Sequence, residues 1–114
     1  MTERLCALDE LSDPGSLAVN MERSGLPWDL CLVRRGSAVY GYINHCPHAG
    51  SPLDWAPGEF LNLDRTHIQC STHHALFEMD SGVCVSGPCI GQALKAVPLE
   101  VRDGEVFFKA KTPA

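Results

Sequence analysis

Two short segments of the sequence carry residues able to bind an inorganic centre. Cys46-Pro47-His48 and Cys70-Ser71-Thr72-His73 each put one thiol and one imidazole on the same short stretch, with some twenty residues between the two motifs. Loops of this kind lying side by side can bring four donors to one point. Two thiolates with two neutral imidazoles suit zinc, or a two-iron, two-sulfide cluster with mixed ligands. The candidate ligands are therefore Cys46, His48, Cys70 and His73.

The remaining cysteines and histidines read differently. Cys6 and Cys31 sit inside apolar stretches, Leu5-Cys6-Ala7 and Leu30-Cys31-Leu32, as small buried hydrophobes. Cys84 and Cys89 lie close to the second motif in sequence and read as buried or half-buried thiols outside the ligand set. His74 directly follows a candidate ligand and reads as a supporting or surface residue. His45 reads as facing solvent or helping to shape the loop, and His67 as a structural histidine in a strand. Trp28 and Trp55 read as packing residues.

The elements that must position the motifs are short strands joined by turns. Leu30–Val33 reads as a buried strand, turned by Arg34-Arg35-Gly36-Ser37 into a second strand, Ala38–Ile43. Asp80-Ser81-Gly82 separates Leu76-Phe77 from Val83-Cys84-Val85. Asp103-Gly104 separates the strands 96–101 and 105–108 in a hairpin pattern. Asp13-Pro14-Gly15 and Gly25-Leu26-Pro27 are further turn signals. Leu5, Leu8 and Leu11 fit a short helix or an irregular lead-in, and nothing sustains a helical period. The segment from Asp54 to Asp64 reads as a surface excursion and the last six residues as a frayed tail. The fold class expected is all-β: an antiparallel sandwich or small barrel in one domain, 1–114.

Composition narrows the function classes. Apolar residues make up 45% of the 114, as in a folded globular chain, and no apolar run approaches bilayer length. The formal charge of −5 is scattered rather than blocked, which disfavours nucleic acid and anionic membranes as partners. No signal-like stretch follows the N-terminus, so the expected location is cytoplasmic. Six cysteines in a reducing compartment point to metal or redox chemistry before disulfides.

The sequence from Cys46-Pro47-His48-Ala49-Gly50 to Cys70-x-x-His73 resembles the ligand signature of Rieske iron–sulfur proteins. The likeness extends to Asn44, Leu53, Ala75-x-Phe77-x-x-x-Ser81-Gly82 and Ser86-Gly87-Pro88, the last matching the family's proline loop. It implies one [2Fe-2S] cluster per chain, in a cluster-binding subdomain of about residues 44–90. Cys46 and Cys70 would bind the inner iron, and His48 and His73 the outer iron. The neutral imidazoles make the oxidised cluster formally neutral and the reduced one singly negative, so reduction is easier than with four thiolates. Relatives of high potential carry a second cysteine in each loop and two hydroxyl donors. Here those positions are Ser51, Thr72, Ala75 and Phe77, which implies no cross-cluster disulfide and a potential near the bottom of the Rieske range, about −150 mV.

The resemblance is to the small ferredoxins of bacterial ring-hydroxylating systems. It implies an electron carrier between a flavin-dependent NAD(P)H reductase and a terminal oxygenase, not catalytic alone. Pro52, Leu53 and Pro88 are expected to form an apolar rim around the exposed histidine tip. Two other readings share the same residues: the small Rieske-like subunit of a nitrite reductase, and a zinc-stabilised binding module.

Overall fold

The computed structural model describes residues 2–23, 25–45, 52–56, 58–70, 75–87 and 90–109. Ten strands are described: β1 (Thr2–Ala7), β2 (Gly15–Arg23), β3 (Leu26–Arg35), β4 (Ala38–Ile43), β5 (His67–Gln69), β6 (Leu76–Glu78), β7 (Cys84–Ser86), β8 (Ala96–Val97), β9 (Leu99–Arg102) and β10 (Glu105–Lys109). They form three antiparallel sheets, ordered β1-β10-β9, β2-β3-β4-β8 and β5-β6-β7. One 3-10 turn, Leu8–Glu10, follows β1. Leu5 is thus in a strand paired with β10, and the segment expected as a short helix or an irregular lead-in is instead a strand followed by that turn. Among the described residues no helix is long and apolar enough to cross a membrane.

The unbroken apolar run Leu30-Cys31-Leu32-Val33 has a physical reason. Strand side chains alternate between faces, so a continuous run means that both faces are buried. Leu30 and Leu32 join one core with Cys6, Leu11, Met21, Val97, Val106 and Phe108. Cys31 and Val33 join the other, with Leu53, Phe60, Ile68, Cys70, Ala75, Phe77 and Cys84. β3 therefore lies between two cores, and the four-stranded sheet is the wall against which β5-β6-β7 is built. Trp28 completes the first core, meeting Phe108 edge-on at 6.2 Å between ring centroids.

Tyr42 on β4 joins the wall to the second core. It is buried, and its hydroxyl donates to the Met79 carbonyl at 2.8 Å, in the turn between β6 and β7. Burial pushes the phenol pKa well up, with the Asp80 charge adding to the effect. The neutral phenol therefore keeps its donor over the ordinary pH range. Gly82 lies directly against this ring. A Cβ there would come 2.7 Å from Tyr42 Cε1, and φ is +74°. Only glycine combines that approach with that backbone conformation.

In the middle of the chain and near its end the structure departs from the sequence reading at several points. Arg34 and Arg35 belong to β3, leaving Gly36-Ser37 as the turn. The strand expected over 96–101 breaks at Pro98 into β8 and β9, which lie in different sheets. β2 escaped the reading, although Leu17, Val19 and Met21 alternate along it with Asn20 and Glu22. The stretch from Asp54 to Asp64 is more than a surface excursion, because Phe60 and Leu61 are buried in the second core. The Ser16 hydroxyl fastens it to β2, donating to the Gly58 carbonyl at 2.9 Å and accepting from the Phe60 N–H at 3.1 Å.

That anchoring has a measurable consequence. Phe60→Ala should cost about 3–5 kcal/mol of folding stability by urea titration, the cost of a large cavity in a packed core. Leu63→Ala, at a side chain 93% exposed in the same stretch, should stay within about 0.5 kcal/mol of the parent. Equal, small effects from both would return this segment to the surface.

Candidate cluster site

Three loops leave the second core close together, and the structure describes the backbone at their ends. The first follows β4. The Asn44 N–H donates to the Asp29 carbonyl at 2.9 Å and the His45 N–H to the Ile43 carbonyl at 2.8 Å, fixing the approach to Cys46. On the far side Leu53 is fully buried, and its N–H donates to the Asn44 side-chain oxygen at 2.6 Å. Leu53 therefore anchors the loop from inside and cannot serve as an exposed rim residue, the role expected from sequence. Pro52 beside it is exposed.

The second loop follows β5. The Gln69 N–H donates to the Phe60 carbonyl at 2.7 Å, and the Cys70 N–H to the Ala75 carbonyl at 2.8 Å, closing residues 71–74 at their base. Cys70 is fully buried. The third loop follows β7, whose Cys84 N–H donates to the Gln92 carbonyl at 2.9 Å while its thiol lies 3.3 Å from the Ser86 carbonyl. Gly87 then crosses directly over Ala75: a Cβ at Gly87 would stand 2.9 Å from Ala75 Cα, at φ +101°. The third loop thus rests on the base of the second. The ends of all three loops meet Leu53, Cys70, Ala75 and Cys84, members of one buried cluster.

Of the four candidate ligands, Cys70 lies at a loop base as expected. Cys46, His48 and His73 lie outside the described residues, as do His74, Pro88 and Cys89. Among the described residues no group of three or more His, Cys, Asp or Glu side chains gathers for a metal. His67 is in β5, with Nδ1 2.9 Å from the Thr66 hydroxyl and Nε2 3.8 Å from Glu78, a structural position. His45 is exposed. Cys6 and Cys31 are buried as expected. Burial raises the Cys31 thiol pKa well above its ordinary value, with the Asp54 charge adding to it. Trp55 is about half exposed, with its indole N–H on the Leu61 carbonyl at 2.9 Å, and packs less than expected.

The surroundings fit a mixed-ligand cluster. Among the described residues no charged or polar side chain is buried, so the floor beneath the loops is apolar and offers no buried cation. A cluster with two thiolates and two imidazoles is formally neutral when oxidised and tolerates such a floor. One with four thiolates would bring more negative charge over it. Asn44, Asp54 and the approach of Gly87 to Ala75 are parts of the site that motif spacing alone did not expose. An Asn at a strand end, able to bond backbone across a loop, was the available signal for the first.

The Gly87 contact yields a paired test. Gly87→Ala should lower the iron and sulfide bound per chain and the thermal midpoint, because backbone Ala75 must move. Gly91→Ala has a comparable φ of +97° but open space around its Cβ, and should pay only the conformational penalty. Equal losses in the two variants would mean that the approach to Ala75 plays no part in holding the cluster.

Comparison with known proteins agrees with this geometry. The family model of the Rieske [2Fe-2S] domain matches residues 3–102. No curated protein matches the sequence. The ferredoxin of carbazole 1,9a-dioxygenase from Nocardioides aromaticivorans IC177 superimposes with a TM-score of 0.74 at 24% identity, over 97% of this chain and 99% of that one. A chain in the complex of reduced oxygenase and oxidised ferredoxin in carbazole 1,9a-dioxygenase gives 0.73 at 24%, over 99% and 96%. The terminal oxygenase of carbazole 1,9a-dioxygenase from Novosphingobium sp. KA1 gives 0.79 at 21%, over 99% of this chain but 31% of that one. At these identities the structural likeness establishes the fold. The family match also decides between the two centres that the donor set left open, in favour of iron and sulfide over zinc. The chain belongs to the Rieske [2Fe-2S] domain family, and the group it binds is a [2Fe-2S] cluster.

Proposed function

We propose that this protein is a one-electron carrier that takes electrons from a flavin-dependent NAD(P)H reductase and delivers them to a terminal oxygenase. Cys46, His48, Cys70 and His73 hold its cluster within a single Rieske domain, in the subdomain 44–90. The observation that carries the reading is the pair of Cys/His motifs on loops whose described ends close on one apolar core. Ferredoxins of an oxygenase system, one of them solved in complex with its oxygenase, are among its structural neighbours and support the choice of partners.

The bound cluster supplies reversible one-electron chemistry. The chain's own residues do the rest. Cys46 and Cys70 neutralise iron charge as thiolates, and Cys70 does so from a fully buried position. His48 and His73, as neutral ligands, would provide the edge through which a partner couples. The loop bases, fixed to strands, keep that edge from rearranging between oxidation states. Ala75 and Phe77, both buried and both without a hydroxyl, donate nothing to sulfur, which holds the potential low. Pro52 beside the first loop and Ile90 beyond the third are exposed and form the apolar rim in place of Leu53. A small rim suits a weak, quickly exchanged interface, and one tip serving donor and acceptor makes their binding mutually exclusive. The protein acts in the cytoplasm and has no turnover of its own.

Reconstitution tests this reading. With a flavin reductase and a terminal oxygenase from its own genomic neighbourhood, electrons should pass from reduced nicotinamide to the oxygenase only when this protein is added. Its potential by voltammetry should lie at about −150 mV. An oxygenase that runs equally well without it, a stable ternary complex carrying the flux, or a clearly positive potential would each contradict the proposal.

A further inference from the structure

The first loop has a device at its base that the ligand motif does not include. Asn44 precedes the loop and Asp54 follows it. The Asn44 side-chain oxygen accepts from the Leu53 N–H at 2.6 Å, while its amide nitrogen donates to Asp54 Oδ1 at 3.3 Å. The other Asp54 oxygen accepts from the Gly58 N–H at 3.4 Å. The backbone of Asn44 is itself held, its N–H on the Asp29 carbonyl at 2.9 Å. One side chain thus bridges the two ends of the loop, from a residue fixed to β3 to one whose own side chain is fully buried.

The chemistry required at position 44 is narrow. A single side chain must accept from a backbone N–H and donate to a carboxylate, and it must be uncharged to do both without repelling that carboxylate. An amide meets all three conditions, and only one of its two orientations satisfies both partners. Loss of the bridge leaves a part-buried N–H without its acceptor, and releases the loop that carries Cys46 and His48 at the end where β4 stops.

We propose that Asn44, oriented by Asp54, is a positioning residue for the cluster: its amide clamps the base of the first loop and so sets both the hold on the cluster and the geometry of the Cys46 and His48 ligands. The proposal rests on the ligand reading given above. The Asp54 charge also reaches the second core, where it adds to the rise in the Cys31 pKa. The clamp and the core beneath the cluster are therefore electrostatically connected.

The pair offers a test by exchange. Asn44→Ala removes both part-buried bonds and should release the cluster about tenfold faster into a chelator, read as bleaching of visible absorbance. The electron paramagnetic resonance g-values of the reduced protein should shift as well. Asn44→Asp keeps an acceptor for the Leu53 N–H but sets two carboxylates against each other, and should be at least as damaging. Combining Asn44→Asp with Asp54→Asn restores a complementary pair with donor and acceptor exchanged, and should recover slow release and the native g-values. Asn62→Ala serves as the control. Asn62 makes a similar side-chain clamp at the start of β5, accepting from the Thr66 and His67 N–H groups at 2.9 and 3.1 Å, but outside the first loop. It should cost stability without shifting the g-values.

Release as slow in Asn44→Ala as in the native protein would overturn the proposal. So would equal effects on release and g-values from Asn62→Ala, or failure of the exchanged pair to recover. The underlying ligand reading is scored separately on the native protein: absence of a mixed-ligand signal there refutes that reading, whereas its presence with an inert Asn44→Ala refutes only the clamp.

Discussion

The hydrogen bond from the Cys70 N–H to the Ala75 carbonyl is the interaction on which the site depends. It closes the second motif loop at its base and sets Cys70, fully buried, at the end of β5. It also fixes Ala75, the surface over which Gly87 passes at a distance that leaves no room for a side chain. The third loop is thereby referenced to the second through a backbone contact rather than a flexible side chain. A redox centre needs this kind of fixity, because any loop movement between oxidation states would be a barrier to electron transfer.

The fold supplies the fixity by layering. β3 is buried on both faces, and the sheet around it separates the core of β1-β10-β9 from the core beneath the loops. The three strands that present the second and third loops are only three residues each. Strands so short have little stability of their own. They are held by Phe60, Leu61, Ile68 and Phe77 packing on the wall, and by the Tyr42 hydroxyl on the Met79 carbonyl. The stability of the larger sheet is thus passed to a small sheet whose connections carry the second Cys/His motif and turns.

Segments whose local chemistry is distinctive were the most legible in the sequence. Paired Cys/His motifs, the Asp103-Gly104 hairpin and the continuous run around Cys31 all declare themselves through local chemistry: ligand spacing, turn preference and two-sided burial. β2 was missed because its larger apolar residues are Leu17, Val19 and Met21, a weak alternation on a strand with one exposed face. Leu53 and Phe60 were misplaced for another reason. They lie among Pro, Gly and Asp residues that mark turns, and burial inside a turn-rich segment depends on long-range contacts, here with Ser16 on β2 and with the second core. The role of Asn44 was hidden for the same reason: its partners are nine and ten residues away and meet it only once the loop has closed.

We propose that two imidazoles and two thiolates share the cluster, whose smaller negative charge suits the apolar floor beneath the loops better than that of a four-thiolate cluster would. The most direct measurement is pulsed electron paramagnetic resonance on the reduced protein, with histidine nitrogen labelled with ¹⁵N. The account predicts couplings from two histidine nitrogens, kept when Cys84 and Cys89 are both changed to serine and lost with the cluster when His48 or His73 is changed to alanine. A reduced cluster without histidine coupling, or one that disappears in the Cys84 and Cys89 double variant, would contradict it.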